Sequence, residues 1–191
     1  MKLDFSTLSL KERYKIISRT VIPRPIAWIV SEGEYLNIAP FSYFIPLSSE
    51  PPALLVSIGH KKDGSPKDTL KNIEEQKKCT ICMVDEAHLK QMHYTSKALE
   101  RSEAEYFDIP TKKIFEEFPP IVEGVPAAFF CSFLQRIELG GKTVPLVLKV
   151  ERYYVDDRYV KEDYDIELDL IARVGAKYAK LGERIEPPQI P

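Results

Sequence analysis

The segment RPIAWIVSEGEYLNIAPFS, residues 24–42, contains the pattern that decides the fold. Residues 26–31 are apolar and partly β-branched, which predicts a strand. The turn-like residues 31–34 follow, and residues 35–39 have the composition of a returning strand. The segment therefore predicts a β-hairpin. Pro40 begins an aromatic-rich stretch and argues against a central strand there.

Further strands are expected along the chain, at residues 53–58, 79–84, 127–138 and 144–155. Gly140-Gly141 lies between the last two and is a hairpin signal. Residues 165–178 are ambiguous. Several strands at short spacing with a few helices predict a closed or nearly closed barrel. A doubly wound sheet would need regular alternation of strands and helices, which this chain does not show.

Three helices are expected between the strands. A capping-box pattern at residues 9–12 starts the first, which carries an apolar stripe of Leu10, Tyr14, Ile17 and Val21. The second starts near residue 68, with Asp68 or Thr69 as its N-cap. The third covers residues 87–94. Residues 98–120 are charged and poorly patterned, and a lid and a dimer arm are the alternatives for them.

The composition limits the classes of function. The chain has 191 residues, with 27 Lys and Arg against 29 Asp and Glu, so its formal net charge is −2. This balance gives no general attraction to nucleic acid or to an anionic membrane. Charged residues interrupt any apolar leader near the N-terminus, and the 3 cysteines are too few for a disulfide framework. We therefore expect a cytoplasmic protein with no nucleic-acid or membrane partner.

The loop that leads into the second helix has the residues of an anion site. Lys67 supplies a positive charge, and Ser65 and Thr69 supply hydroxyl donors beside a helix N-terminus. This combination suits a phosphate group. The alternative is an ordinary capped helix with an exposed lysine, and this window by itself favours that alternative.

Two windows in the hairpin suit a planar ligand. Residues 37–42 combine Asn37 and Ser42 with aromatic surface, as a planar heterocycle requires. The alternative is a bent edge strand whose Phe41 and Phe44 fill the core. Residues 24–29 hold the only tryptophan, Trp28, and the alternative there is a core tryptophan with a surface arginine.

Other chemistries lack support in the sequence. Cys79 and Cys82 are three residues apart on a predicted strand, which sends their thiols to opposite faces. No second cysteine pair completes a zinc site, and the three histidines are dispersed. The motifs of serine hydrolases, Rossmann folds and P-loops are absent from the sequence. We therefore predict no metal site.

Five windows together resemble the flavin reductase-like, FMN-binding split-barrel family. They are residues 24–29, 37–42, 64–69, 137–141 and 172–178, in the order and spacing of that family. The resemblance covers about residues 24–182. It implies a mainly β Greek-key split barrel with helices, forming one domain over residues 1–191 that dimerises and holds FMN at the subunit interface. The aromatic residues 41–44 also favour a dimer, because an exposed apolar segment needs a cover.

The resemblance further implies which residues hold the cofactor. Ser65, Lys67 and Thr69 would hold the FMN phosphate. The ribityl chain and isoalloxazine would be lined by Ala27, Trp28, Asn37, Ala39, Pro40, Phe41, Ser42 and Ser57. Arg173 and Tyr178 would close the groove or support the dimer.

The activity implied by the resemblance is NADH- or NADPH-dependent flavin reduction, with electrons passed to a monooxygenase, an iron centre or oxygen. The cofactor carries the hydride chemistry, so we name no catalytic residue. Family members often have a histidine in the late hairpin where this chain has Lys142. That departure bears on nicotinamide use more than on flavin binding. The alternatives are a flavoredoxin-like electron carrier and a non-catalytic barrel that binds flavin or another planar ligand.

Overall fold

The computed structural model describes residues 1–188 and is mainly β with a few helices, as predicted. The helices are α1 (Leu10–Thr20), α2 (Asp68–Gln76), α3 (Leu89–Tyr94) and α4 (Glu103–Tyr106). The strands are β1 (Ala27–Glu32), β2 (Leu36–Phe41), β3 (Phe44–Ser49), β4 (Pro52–Gly59), β5 (Lys78–Cys82), β6 (Thr111–Lys112), β7 (Ile121–Val122), β8 (Ala127–Arg136), β9 (Thr143–Val155), β10 (Ile171–Val174) and β11 (Lys177–Lys180).

Seven of these strands form one antiparallel sheet in the order β2-β1-β5-β8-β9-β4-β3. Its two edge strands, β2 and β3, are consecutive in the chain and are joined only by Ser42 and Tyr43. A residue spans at most about 3.6 Å of extended chain, so the two edges lie near each other. The edge strand β2 also contacts β4, the neighbour of the other edge strand β3. The sheet therefore curls toward closure.

Both faces of the sheet are covered by apolar side chains. On one face, Ile29 packs in a cluster with Val56 and Leu146. On the other face, Trp28 packs in a cluster with Phe130. Since neighbouring residues of a strand point to opposite faces, β1 must be apolar at successive positions. This explains the unbroken apolar run that the sequence shows there.

Most predicted strands are confirmed within two residues of their bounds. The hairpin of β8 and β9 turns at Gly140, whose φ of 72° suits glycine. β2 runs through Pro40 and is an edge strand, which is where a strand tolerates proline. The sequence missed β3, which also contains a proline and is the other edge. It also missed the hairpin of β10 and β11, which begins within the ambiguous residues 165–178 and ends at Lys180.

The first helix has the predicted capping box but leaves its apolar stripe uncovered. The Ser9 amide donates to Glu12 Oε2 at 2.9 Å, and the Glu12 amide donates to Ser9 Oγ at 3.4 Å. Leu10 is 77% exposed and Tyr14 55% exposed. Within residues 1–188, no helix is both long and apolar enough to cross a membrane.

The turn between β1 and β2 needs glycine at position 33, and this predicts a destabilising substitution. A Cβ at Gly33 would lie 2.7 Å from Cγ of Asn72, which is buried and donates a hydrogen bond to Ser31. We expect Gly33→Ala to lower the free energy of unfolding by about 1–3 kcal/mol in urea denaturation. Gly141→Ala is the control, because nothing lies within 4 Å of a Cβ there. Equal stability of the two variants would show that Asn72 moves aside freely.

Candidate functional site

A cavity of about 690 Å³ lies along the edge strand β2. Its walls come from β2, the loop before α2, the first turn of α2 and the segment between α3 and α4. The lining residues are Asn37, Ala39, Pro40, Phe41, His60, Lys61, Lys62, Asp63, Lys67, Asp68, Thr69, Thr95, Ser96, Lys97, Ala98, Leu99 and Glu103. The cavity therefore brings the predicted planar-ligand window and the predicted anion loop together.

An apolar wall and a cation meet in this cavity. The Lys67 ammonium lies 5.5 Å from the centroid of the Phe41 ring. The Lys67 side chain is solvent-exposed overall, but desolvation of its ammonium lowers the pKa of that group. A partly desolvated cation attracts an anion more strongly than one in bulk water. The arrangement suits a ligand with an apolar plane and an anionic group.

The N-terminus of α2 is free of a side-chain cap, which corrects the prediction of Asp68 or Thr69 as N-cap. The N-cap position is Lys67, whose side chain makes no capping hydrogen bond. Asp68 instead accepts from Lys61 Nζ at 2.7 Å, and this bond raises the pKa of Lys61. The first-turn amides of α2 therefore remain as donors for a ligand.

A buried polar network fixes the orientation of Thr69. Asn37 Nδ2 donates to Thr69 Oγ1 at 2.8 Å and to Ser31 Oγ at 3.1 Å. Asn72 Nδ2 also donates to Ser31 Oγ, at 3.3 Å. All four side chains are nearly inaccessible to solvent. Because Thr69 Oγ1 accepts from Asn37, its own hydroxyl hydrogen is available to a ligand in the cavity.

Two of the predicted cofactor residues, Ala27 and Trp28, have no exposed surface. Trp28 Nε1 donates to Thr95 Oγ1 at 2.9 Å, so its polar atom is already satisfied. The alternative of a core tryptophan is therefore confirmed. The same alternative predicted that Arg24 lies on the surface, and that prediction is wrong. Arg24 is buried and donates to the main-chain carbonyls of Ser18 and Val21. The Arg24 guanidinium therefore caps the C-terminal end of α1.

Three predicted serines lie away from the cavity. Ser42 and Ser57 line a separate cavity of about 250 Å³ next to α1. Ser42 follows Phe41 directly and shares with it a further small cavity of about 50 Å³, but it does not line the large one. Ser65 is not a lining residue, because its hydroxyl donates to Asp63 Oδ1 at 2.7 Å within the turn.

Several lining residues were missed by the sequence interpretation. His60, Lys61, Lys97 and Glu103 belong to the cavity but to none of the windows that were singled out. Lys97 and Glu103 flank or lie in the poorly patterned residues 98–120, and Glu103 reaches β2 only through a contact 65 residues apart in sequence. No local pattern distinguishes these residues from ordinary surface charges.

Curated relatives extend over nearly the whole chain. A protein of Halalkalibacterium halodurans is 34% identical over 201 residues, covering 96% of this chain and 93% of its own length. YwrF of Bacillus subtilis is 33% identical and covers 92% of each chain. Both are uncharacterised proteins, so they show that the chains are related but do not indicate an activity.

Solved structures of similar fold include nitrilotriacetate monooxygenase component B from Bacillus cereus. It is 28% identical, covers 98% of this chain and 99% of its own, and superposes with a TM-score of 0.91. A protein of Shewanella frigidimarina with a split barrel domain is 20% identical, with a TM-score of 0.85 and full coverage of both chains, which shows the fold. Residues 18–168 match the family described as flavin reductase like domain. The curled sheet is therefore a split barrel, and the chain belongs to the flavin reductase-like domain family.

Proposed function

We propose that this chain is a cytoplasmic oxidoreductase that binds FMN in the 690 Å³ cavity and uses NADH or NADPH as its reductant, with residues 1–191 forming one domain. The observation that carries the proposal is the pairing of an apolar wall with an anion site in one cavity. Ala39, Pro40 and Phe41 form the wall. Lys67 and Thr69 form the anion site together with the uncapped start of α2.

The residues present suit a flavin mononucleotide. The phosphate would be held by Lys67, the Thr69 hydroxyl and the first amides of α2, all of which are donors without a competing acceptor in the described residues. Ser65 would join them only by turning its hydroxyl away from Asp63. Asn37 would serve the polar part of the ligand.

The remaining predicted residues have narrower proposed roles. Ala27 and Trp28 support the wall from within the core, because their side chains are enclosed. Ser42 and Ser57 would contact a flavin only where it extended past Phe41 toward the smaller cavity.

A bound flavin would supply the hydride chemistry, and the protein would supply binding, orientation and electrostatics. The likeness to a monooxygenase component B supports a monooxygenase as the electron acceptor of this chain. An iron centre and oxygen are the other acceptors that the family resemblance suggested.

An imidazole lies beside the position where the family often has a histidine. The His60 amide donates to the Lys142 carbonyl at 2.9 Å, and His60 Nδ1 lies 2.7 Å from the same oxygen. Because a carbonyl only accepts, His60 Nδ1 carries the proton in this pair. His60 also lines the cavity, so its ring stands where the hairpin meets the ligand site. We propose that His60 takes the place of the absent hairpin histidine in nicotinamide use.

The second candidate function is a flavoredoxin-like electron carrier. Lys142 favours it, because the hairpin itself lacks the imidazole. Flavoredoxin of Desulfovibrio vulgaris shares the fold, with a TM-score of 0.76 at 17% identity. The two functions differ in whether a nicotinamide reduces the bound flavin directly.

We also propose a homodimer, for a different reason from the one given by the sequence. Phe41 and Phe44 are buried, so they do not form the exposed apolar segment on which the sequence argument for a dimer depended. The exposed apolar surface lies instead on α1, where Leu10, Tyr14, Ile17 and Val21 are uncovered. A contiguous apolar surface of this kind is typical of a protein–protein contact.

Removing the Lys67 ammonium tests the phosphate site. We expect Lys67→Ala to weaken FMN binding about tenfold to a hundredfold, since a hydrogen bond to a charged group is worth about 1.5–3 kcal/mol. Lys71→Ala is the matched control, because Lys71 is exposed on the same helix and does not line the cavity. Fluorescence titration of both variants with FMN measures the effect. Equal affinities would remove Lys67 from the site.

Anaerobic addition of NADH or NADPH to the FMN-loaded protein tests the activity. We expect the visible flavin absorbance to be lost rapidly with one of the two nucleotides. We expect His60→Ala to slow this loss without releasing FMN. Bound flavin that neither nucleotide reduces would favour the electron carrier. If the protein does not bind FMN, the remaining alternative is a non-catalytic barrel that binds another planar ligand.

Light scattering tests the dimer. We expect a molar mass near twice the 21.9 kDa of one chain. Ile17→Glu should shift the protein to the monomer, because it places a charge in the apolar stripe of α1. Lys15→Glu is the control with the same introduced side chain at an exposed lysine of that helix. A wild-type monomer would contradict the proposal.

A further inference from the structure

Glu103 is a buried carboxyl at the edge of the cavity. It begins α4, is 3% exposed and lines the cavity between β2 and the segment that precedes α4. Its Oε2 accepts from the Ile38 amide at 3.0 Å. Ile38 lies in the edge strand β2, and an amide on an open sheet edge needs an acceptor. Oε2 of Glu103 therefore has a structural role, because its hydrogen bond to the Ile38 amide connects α4 to the sheet.

The second oxygen has no such role. Within residues 1–188, the structure records no donor from another residue for Glu103 Oε1. Burial raises the pKa of Glu103, and the negative charge of Asp68 raises it further. Hydrogen bonds from the backbone amides of Ile38 and of Glu103 itself lower this pKa in part. Of the cavity lysines, Lys61 is already paired with Asp68. Because Glu103 lines the cavity and this oxygen has no donor from another described residue, a ligand in the cavity can donate a hydrogen bond to it.

The position of Glu103 indicates which part of a ligand would supply that donor. The anion site at Lys67 and Thr69 excludes a carboxylate as a phosphate contact, since like charges repel. The isoalloxazine ring has a single N–H donor, at N3, and its faces would lie on the apolar wall. The part of a flavin that carries several O–H donors is the polyol chain between ring and phosphate. A binding site that forms hydrogen bonds to the hydroxyl groups of its ligand discriminates strongly against a ligand that lacks those groups.

We propose that Glu103 is a specificity-determining residue that selects flavins with a polyol chain, by accepting a hydrogen bond from a ribityl hydroxyl. This inference rests on the proposed flavin site and deepens it. Lys67 and Thr69 bind the phosphate, whereas Glu103 accepts a hydrogen bond from the ribityl part of the flavin. The same side chain ties the segment of residues 95–103 to β2, so that segment is a wall of the binding site.

Glu103→Gln separates the two roles of this side chain. Its amide oxygen still accepts from the Ile38 amide, but the group that faces the cavity becomes an NH₂ donor. Glu105→Gln is the matched control, because Glu105 is exposed on the same short helix and does not line the cavity. The unliganded variants are first compared with the wild type by thermal unfolding, which reports any loss of the Ile38 contact.

The binding test uses two flavins. FMN is titrated directly, and lumiflavin, which has a methyl group in place of the polyol phosphate, is measured by competition. We expect Glu103→Gln to weaken FMN binding about tenfold or more, to change lumiflavin binding less than about twofold, and to unfold at the wild-type temperature. Glu105→Gln should bind both flavins as the wild type does.

The opposing outcomes are distinct. Unchanged FMN affinity in Glu103→Gln would overturn this inference while the flavin site stands. A lower unfolding temperature with equal loss of both flavins would reduce Glu103 to the structural bond with Ile38. A wild-type protein that binds no FMN would overturn the proposed function, and this inference with it.

Discussion

The hydrogen bond between Asn37 and Thr69 joins the two parts of the chain that make the cavity. Asn37 comes from the edge strand β2 and Thr69 from the first turn of α2, and their side chains meet at 2.8 Å in the interior. Leaving either group without a partner there would cost about 1–3 kcal/mol. Ser31 completes the network by accepting from both Asn37 and Asn72. This contact orients the Thr69 hydroxyl, and together with the packing of Leu70 and Ile73 in the core it holds α2 against the sheet.

Strand alternation decides which side of the sheet each residue serves. Trp28 and Ile29 are neighbours in sequence but belong to different apolar clusters. Cys79 and Cys82 separate in the same way, as the sequence predicted. On the edge strand β2, in contrast, the consecutive residues Ala39, Pro40 and Phe41 all line the large cavity. Alternation therefore separates neighbouring residues where both faces of the sheet are covered, whereas at the edge strand β2 neighbouring residues contribute to one site.

Local charge in the cavity differs from the charge of the whole chain. The net charge of −2 gave no reason to expect an anionic ligand. The cavity nevertheless gathers Lys61, Lys62 and Lys67 from the loop before α2 and Lys97 from the segment between α3 and α4. Asp68 neutralises Lys61, whereas Lys67 has Phe41 beside it and no carboxylate in salt-bridge range within the described residues. The position of a cation relative to its neighbours determines what it can bind.

The sequence by itself determined six of the seven strands of the main sheet, the capping box of α1 and the late hairpin, because each depends on residues close together in the chain. It also determined the family, because each of the five windows is a short local motif. It also indicated Lys67 and Thr69, since a charge and a hydroxyl at a helix start are a local pattern. Only the tertiary structure decided that Arg24 is buried and that Glu103 faces the same cavity as Phe41. Those outcomes depend on contacts between distant segments, and burial and hydrogen-bond satisfaction are properties of the packed chain that no local window contains.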